Sequence, residues 1–157
     1  MPLLKYRPAL AATALGLVTA LTALPAAAQF QKPEDAINYR QSAMFLMNNH
    51  LGRIFAMVNG RVPFDANAAQ VNADIVAMVS RLQFAGFIEG SDKGNTRAKA
   101  EIWSEPDKFR AAAQKSQDDI VKLSAAAKTG NQDQIKAAAG AAGQSCKACH
   151  DTYQKPL

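Results

Sequence analysis

Only two cysteines and two histidines occur in the 157 residues. A structural zinc site needs four ligands, and His50 lies roughly a hundred residues before Cys146, so that class is excluded. Aromatic side chains are sparse at 7 %, with a single tryptophan. Long apolar runs are also scarce. Beyond one near the start of the chain, no uncharged stretch approaches the ~20 residues of a membrane span, so no span is expected. Charge of one sign is in small excess only: the formal net charge is +5, and the basic residues are unclustered, so nucleic acid is not an implied partner. There is no internal repeat, low-complexity tract or second domain.

What the chain does have is concentrated near its end, in Cys146-Lys147-Ala148-Cys149-His150. A C-x-x-C-H pentad is the attachment signature of c-type haem: two thiols add to the two vinyl groups and the next residue offers an imidazole to iron. On a helix, cysteines three apart stand on neighbouring turns of one face, so both can reach one porphyrin edge. Other readings fit less well. A redox C-x-x-C belongs in a βαβ context, whereas an Ala-rich helical stretch precedes Cys146. A disulfide between residues three apart on a helix is geometrically poor and leaves His150 unexplained.

The first 28 residues read as a secretory signal. Lys5 and Arg7 open it, Ala9 to Leu24 is apolar and uncharged, and Ala26-Ala27-Ala28 supplies an A-x-A cleavage site. Export to the periplasm is the expectation, with Gln29 as the first mature residue. Cleavage leaves 129 residues, 29–157, enough for one domain with one core, and lowers the formal charge to +3. Two cysteines tied up as thioethers leave none for disulfides.

The mature chain divides into four helical segments. Pro33 with Glu34 and Asp35 starts the first and Asn59-Gly60 stops it. Ile37, Met44, Leu51 and Val58 recur every seven residues, with Arg40, Met47 and Ile54 between, as in a bundle seam. Asp65 caps a second helix whose expected inward set is Ala68, Val71, Ile75, Met78 and Leu82. Residues 86–103 read as a loop, with Phe84, Phe87 and Trp103 either covering a cofactor or anchoring the loop. Ser104-Glu105-Pro106-Asp107 resembles a capping box for a third helix, with Phe109, Ala113, Ser116, Ile120, Leu123 and Ala127 inward. Asn131 with Gln134 caps a fourth, whose seam is Ile135, Ala139, Ala142, Cys146, Cys149 and Tyr153. The small residues from Ala137 to Gly143 leave room for a flat cofactor or, alternatively, allow close helix packing. Two short links and one long crossover indicate an all-α, antiparallel four-helix bundle. Phe45, Leu46, Phe55, Met57, Val76 and Val79 fall outside the strict seams, and this surplus apolar surface predicts a homodimer through the first two helices. His50, Lys147 and Asp151 read as solvated.

The C-terminal pentad on the last of four helices, the Lys32-Pro33-Glu34-Asp35 start, the run Tyr39-Arg40-Gln41-Ser42-Ala43 and the closing Asp151-Thr152-Tyr153 together resemble cytochrome c′, the class II c-type cytochromes. Cytochrome c′ is itself an established example of the up-down-up-down bundle. The resemblance spans the whole mature chain. It implies one covalent haem c with His150 as proximal ligand, an apolar distal side shaped by the first helix, and frequent dimerisation. It also implies Arg40 and Gln41 beside the propionates, Met44 over the distal face of iron, and Tyr153 near the proximal imidazole. An unpaired Arg40 on the seam would be expensive to bury, which agrees with a propionate partner. The family often carries a basic residue four positions after the haem histidine, where this chain has Gln154. The distal residue is often Leu or Phe. Here it is Met44, and in the related low-spin cytochrome c-556 group a methionine binds iron.

Two functions follow from these expectations. In one, five-coordinate haem binds a diatomic gas, NO or CO; in the other, six-coordinate Met44-Fe-His150 haem carries electrons between periplasmic redox proteins. An enzyme is not expected, because a peroxidase requires a distal His or Arg poised as acid and base, and the first helix offers mostly apolar side chains there.

Overall fold

The computed structural model describes residues 29–156; the signal segment lies outside them. Four long helices make the bundle: α1 (Pro33–Val58), α2 (Ala66–Val79), α4 (Pro106–Ala127) and α5 (Gln132–Tyr153), with a single helical turn, α3 (Glu101–Ser104), before α4. Helix α1 begins with Pro33 in its first turn beside Glu34 and Asp35, where no N–H partner is needed and negative charge meets the positive end of the helix. It ends at Asn59, and Gly60 turns the chain at φ +71°. The Asp65 side chain accepts from the Ala68 N–H at 3.0 Å, and the Asn131 side chain from the Gln134 N–H at 3.0 Å, so α2 and α5 start where side-chain caps are available. The expected capping box before α4 does not form. Ser104 closes α3 instead, and Glu105 makes no side-chain cap bond.

Helix α1 packs on α2, α2 on α4, α4 on α5, and α5 back on α1, which closes the bundle. Its apolar interior has two parts. An aliphatic cluster joins Leu51, Ile54 and Val58 to Ala73, Val76, Ile120, Leu123, Ile135 and Ala139 near the end with the two short links. An aromatic cluster of Ile102, Phe109 and Tyr153, with Phe84, Phe87, Trp103 and Cys149 against it, occupies the other end, beneath the crossover. The inward sets expected for α4 and for the first half of α5 are buried as read.

Helix α2 is rotated from the expected orientation. Ala69, Asn72, Ala73, Val76 and Val79 face inward, whereas Val71, Met78 and Leu82 are exposed. Small residues let the helices approach closely, and the bulkier side chains lie outside. Of the six residues read as surplus apolar surface, Phe45 and Leu46 are exposed, Phe55 is half-buried, and Met57, Val76 and Val79 are core. His50 is not simply solvated: it is half-buried and shares a 2.7 Å hydrogen bond with Asn72 of α2.

The crossover is ordered around one side chain. Arg40 on α1 is 2 % exposed. It donates to Gly86 O (2.6 Å), Ser91 Oγ (2.8 Å), Ser91 O (2.7 Å) and Thr96 Oγ1 (2.8 Å). Its guanidinium also lies 4.6 Å from the Phe87 ring centroid. A short 3-10 turn, Gln83–Gly86, brings Gly86 against α1. A Cβ there would stand 2.5 Å from Ala36 O, which explains glycine at this position.

Candidate functional site

At the aromatic end of the bundle a cavity of about 380 Å³ opens between α1, the crossover and the last turns of α5. Arg40, Gln41, Met44, Phe45 and Asn48 line it from α1; Phe87, Thr96, Arg97 and Ala98 from the crossover; Ile102 and Phe109 from α3 and α4; and Cys149, His150, Tyr153 and Gln154 from the end of α5. Six of the seven residues singled out from the sequence therefore meet at one cavity. The seventh, Cys146, stands one turn earlier on α5, half-buried against the aliphatic cluster. A second hollow of about 490 Å³, behind Phe87, Ile102 and Phe109, holds none of the pentad.

The walls are built by edge-to-face aromatic packing. Phe109 meets Tyr153 with ring centroids 5.2 Å apart and Phe87 at 4.9 Å, which fixes both rings at the cavity edge. Phe87 covers the cavity, while Trp103 anchors the crossover by donating from its indole N–H to Ile88 O at 3.1 Å. Of the aromatics read in the sequence, Trp103 thus anchors the loop, Phe87 lines the cavity, and Phe84 packs on Phe109 away from it. The run Ala137–Gly143 does not border the cavity. Ala139 and Ala142 are fully buried in the aliphatic cluster, and Gly143 faces the Phe55 ring, so close helix packing is the correct reading there.

The electrostatics suit ligation rather than thiol redox chemistry. Burial and the positive charge of Arg97 hold His150 below the ordinary histidine range, and so maintain the neutral imidazole that a metal requires. Burial raises both thiols, with the Asp119 carboxylate adding to the effect on Cys146 and the Cys146 thiol to that on Cys149. A reactive thiolate would need the opposite shift. The residues fit a covalent haem. Cys149 and His150 point to one apolar cavity, Cys146 is one turn away, and polar groups from Gln41, Thr96 and Arg97 are available for the carboxylates of such a group.

Several lining residues had no signal in the sequence. Arg97, Thr96 and Ala98 lie in a loop without periodicity and reach the site because residues 97–99 run beside the chain end. Ala98 and Gln154 form an isolated antiparallel bridge, Lys155 N donates to Arg97 O at 2.7 Å, and Lys99 N to Tyr153 O at 3.0 Å. Gln154 itself borders the cavity and donates its N–H back to His150 O at 2.9 Å.

A family model described as cytochrome c′ matches residues 35–154. The chain belongs to the cytochrome c′ family. Cytochrome c′ from Rubrivivax gelatinosus is 50 % identical over 128 residues, covering 81 % of this chain and 99 % of the relative. Its crystal structure superposes with a TM-score of 0.79 over 81 % of this chain and 100 % of that one. Cytochrome c′ from Alcaligenes xylosoxydans xylosoxydans is 48 % identical over 127 residues, covering 81 % and 98 %. A nitric oxide complex of a variant of cytochrome c′ from Alcaligenes xylosoxidans matches with 46 % identity and a TM-score of 0.78, covering 82 % of this chain and all of that one. The solved cytochromes c′ share the four-helix bundle found here.

Proposed function

We propose that this cytochrome c′ is an exported, periplasmic haem protein that holds one haem c covalently through Cys146 and Cys149, with His150 as proximal iron ligand, and binds NO and CO at a five-coordinate iron. The observation that carries this reading is the single apolar cavity shared by Met44, Phe87, Cys149, His150 and Tyr153. When bound, the haem supplies an open iron position and one-electron chemistry. The chain supplies the rest. His150 is kept neutral for ligation, and Met44, Phe87 and Phe109 exclude water while a small neutral gas passes by side-chain displacement. The nitric oxide complex of the Alcaligenes xylosoxidans relative supports the choice of gas.

Electron transfer with periplasmic redox proteins is compatible with the same site. The alternative of a six-coordinate, cytochrome c-556-type carrier rests on Met44, whose thioether borders the cavity that holds His150. Binding rather than turnover is the proposed activity: the NH1 and NH2 groups of Arg40, the guanidinium on the α1 side, are held by the crossover and not poised as an acid. Among the described residues no helix is long and apolar enough to cross a membrane.

Intact mass and an optical spectrum test the proposal together. Material from cells competent in haem attachment should match residues 29–157 plus one haem and show a mainly high-spin ferric spectrum. A mass without haem would refute the attachment, and a low-spin spectrum with a methionine-to-iron charge-transfer band would establish the carrier alternative.

A further inference from the structure

The second hollow, of about 490 Å³, lies between the 3-10 turn, α3 and α4, and its size falls within the roughly 300–1,000 Å³ of small-molecule sites. One wall is aromatic. Phe84, Phe87, Trp103 and Phe109 face it, in a chain where aromatics are only 7 % of the residues. Phe84 and Phe87 both meet Phe109 edge to face, with centroids 5.8 Å and 4.9 Å apart, and Trp103 tilts against Phe87 at 6.1 Å. Rings set at these angles do not cover one another's faces, and Phe84, Phe87 and Trp103 are only half-buried, so ring surface is left open to the hollow. The opposite wall is polar. Arg110, Gln114 and Gln117 stand at helical spacing on one face of α4. Arg110 is paired with Asp107, so the charge on this wall is balanced and an anion gains no net attraction. The amide nitrogens of Gln114 and Gln117 donate to Asp118 Oδ1 at 2.7 Å and, at a long 3.4 Å, to Ser80 O. Neither amide oxygen takes a hydrogen bond among the described residues. The wall therefore asks for a neutral group that can donate, which a hydroxyl does and a carboxylate does not.

We propose that this hollow binds a neutral planar aromatic alcohol, its ring against Phe84 and Trp103 and its hydroxyl donating to the amide oxygen of Gln117, and that the bound molecule slows gas entry to the iron. Gln117 is half-buried whereas Gln114 is exposed, and a hydrogen bond sheltered from water counts for more. Phe87 and Phe109 carry the effect on gas, since each borders both the hollow and the cavity that contains His150. A gas that enters by displacing these rings pushes them toward the hollow, and an aromatic molecule seated there takes up that space. Binding at the hollow does not depend on haem; the effect on gas rests on the haem reading above.

The test titrates the full holoprotein with 2-naphthol by calorimetry, with covalent haem first verified by mass, so that a missing haem counts against the haem reading and not against this site. Wild type should bind one molecule of 2-naphthol with no shift of the haem spectrum. Naphthalene-2-carboxylate, which is charged, and cyclohexanol, which has no planar ring, should each bind about tenfold more weakly or worse. Gln117→Leu should weaken 2-naphthol by about tenfold. Ala113→Phe should abolish binding, because Ala113 borders the hollow and not the haem cavity. At saturating 2-naphthol, CO binding to the ferrous protein should slow by about threefold or more in wild type and stay unchanged in Ala113→Phe. Failure of 2-naphthol to bind, equal or tighter binding of the carboxylate, or binding that survives in Ala113→Phe or shifts the haem spectrum would overturn the site. An unchanged CO rate at saturation would overturn the effect on gas. Should Ala113→Phe fail to fold, nuclear Overhauser contacts between 2-naphthol and the Trp103 indole in the ferrous CO complex decide the location, and their absence overturns it.

Discussion

Met44 is the side chain on which the iron's coordination turns. It is half-buried, borders the cavity that contains His150, and carries a soft, flexible thioether able either to cover a metal or to bind it. Crowding by Phe45 and Phe87 favours covering. Met44→Ala should therefore speed CO binding to the ferrous protein by about tenfold or more, taking ~1.4 kcal/mol of lost steric obstruction as one decade, with the ferric spin state largely unchanged in the optical spectrum. Loss of a low-spin signal in this variant would show that the thioether had been a ligand. The residues most legible in the sequence were those whose chemistry is fixed by spacing: Cys146, Cys149 and His150 needed no tertiary information. Arg40 was legible as an inward cation, but the carbonyl and hydroxyl groups that accept from it, more than forty residues away, were not. Arg97 was not legible, because a bridge to the chain end, not periodicity, brings it to the cavity.

At the scale of elements, α4 and α5 could be read because their larger apolar residues, with the exception of the exposed Val121, fall on one stripe. Helix α2 could not, because alanines and valines occur all round it and the buried face is the one with the smaller side chains. The same helix–helix closeness makes Gly86→Ala a test of how the crossover docks. Its Cβ would meet the backbone Ala36 O at 2.5 Å and the Arg40 Cβ at 2.9 Å, neither of which is the far end of a flexible side chain. A loss of about 1–3 kcal/mol in urea unfolding is expected, as for other overpacked sites. A pH effect belongs to α4. Asp119 is 3 % exposed and its carboxyl lies below the ordinary range, chiefly through the Lys115 hydrogen bond, against burial, with help from Lys122 and Ser145. A carboxyl depressed on folding stabilises above its unfolded value of about 4, and the contribution is lost as pH falls through the lower folded value. Asp119→Asn should thus melt a few degrees lower than wild type at pH 7, and the difference should shrink at pH 3 and below. A constant difference from pH 7 to pH 2 would assign the loss to packing instead.

For the whole molecule, the main open surface lies on α1 and α2. Phe45 and Met78 are about 70 % exposed, at 69 % and 70 %, and Leu46 and Val71 are exposed as well. The His50–Asn72 hydrogen bond sets the register of these antiparallel helices. Counting five residues back along α1 and six forward along α2 brings Phe45 and Met78 to nearly the same height. Two large apolar side chains at one level, flanked by Leu46 and Val71, favour burial against a second copy of the same face, in keeping with the proposed homodimer. The partners differ from those read in the sequence: Val76 and Val79 hold α2 to the core, and Met78 and Val71 are free to meet the other chain. Met78→Glu would place a charge at the centre of that contact, where it would lose water without gaining a partner. Sedimentation equilibrium should then give a dimer mass for the wild type and a monomer mass for Met78→Glu at the same micromolar concentration. The haem spectrum of the Met78→Glu monomer should be unaltered, because Met78 does not line the cavity. A wild-type protein that stays monomeric at high concentration would refute the dimer, and a dimeric Met78→Glu variant would move the interface to another face.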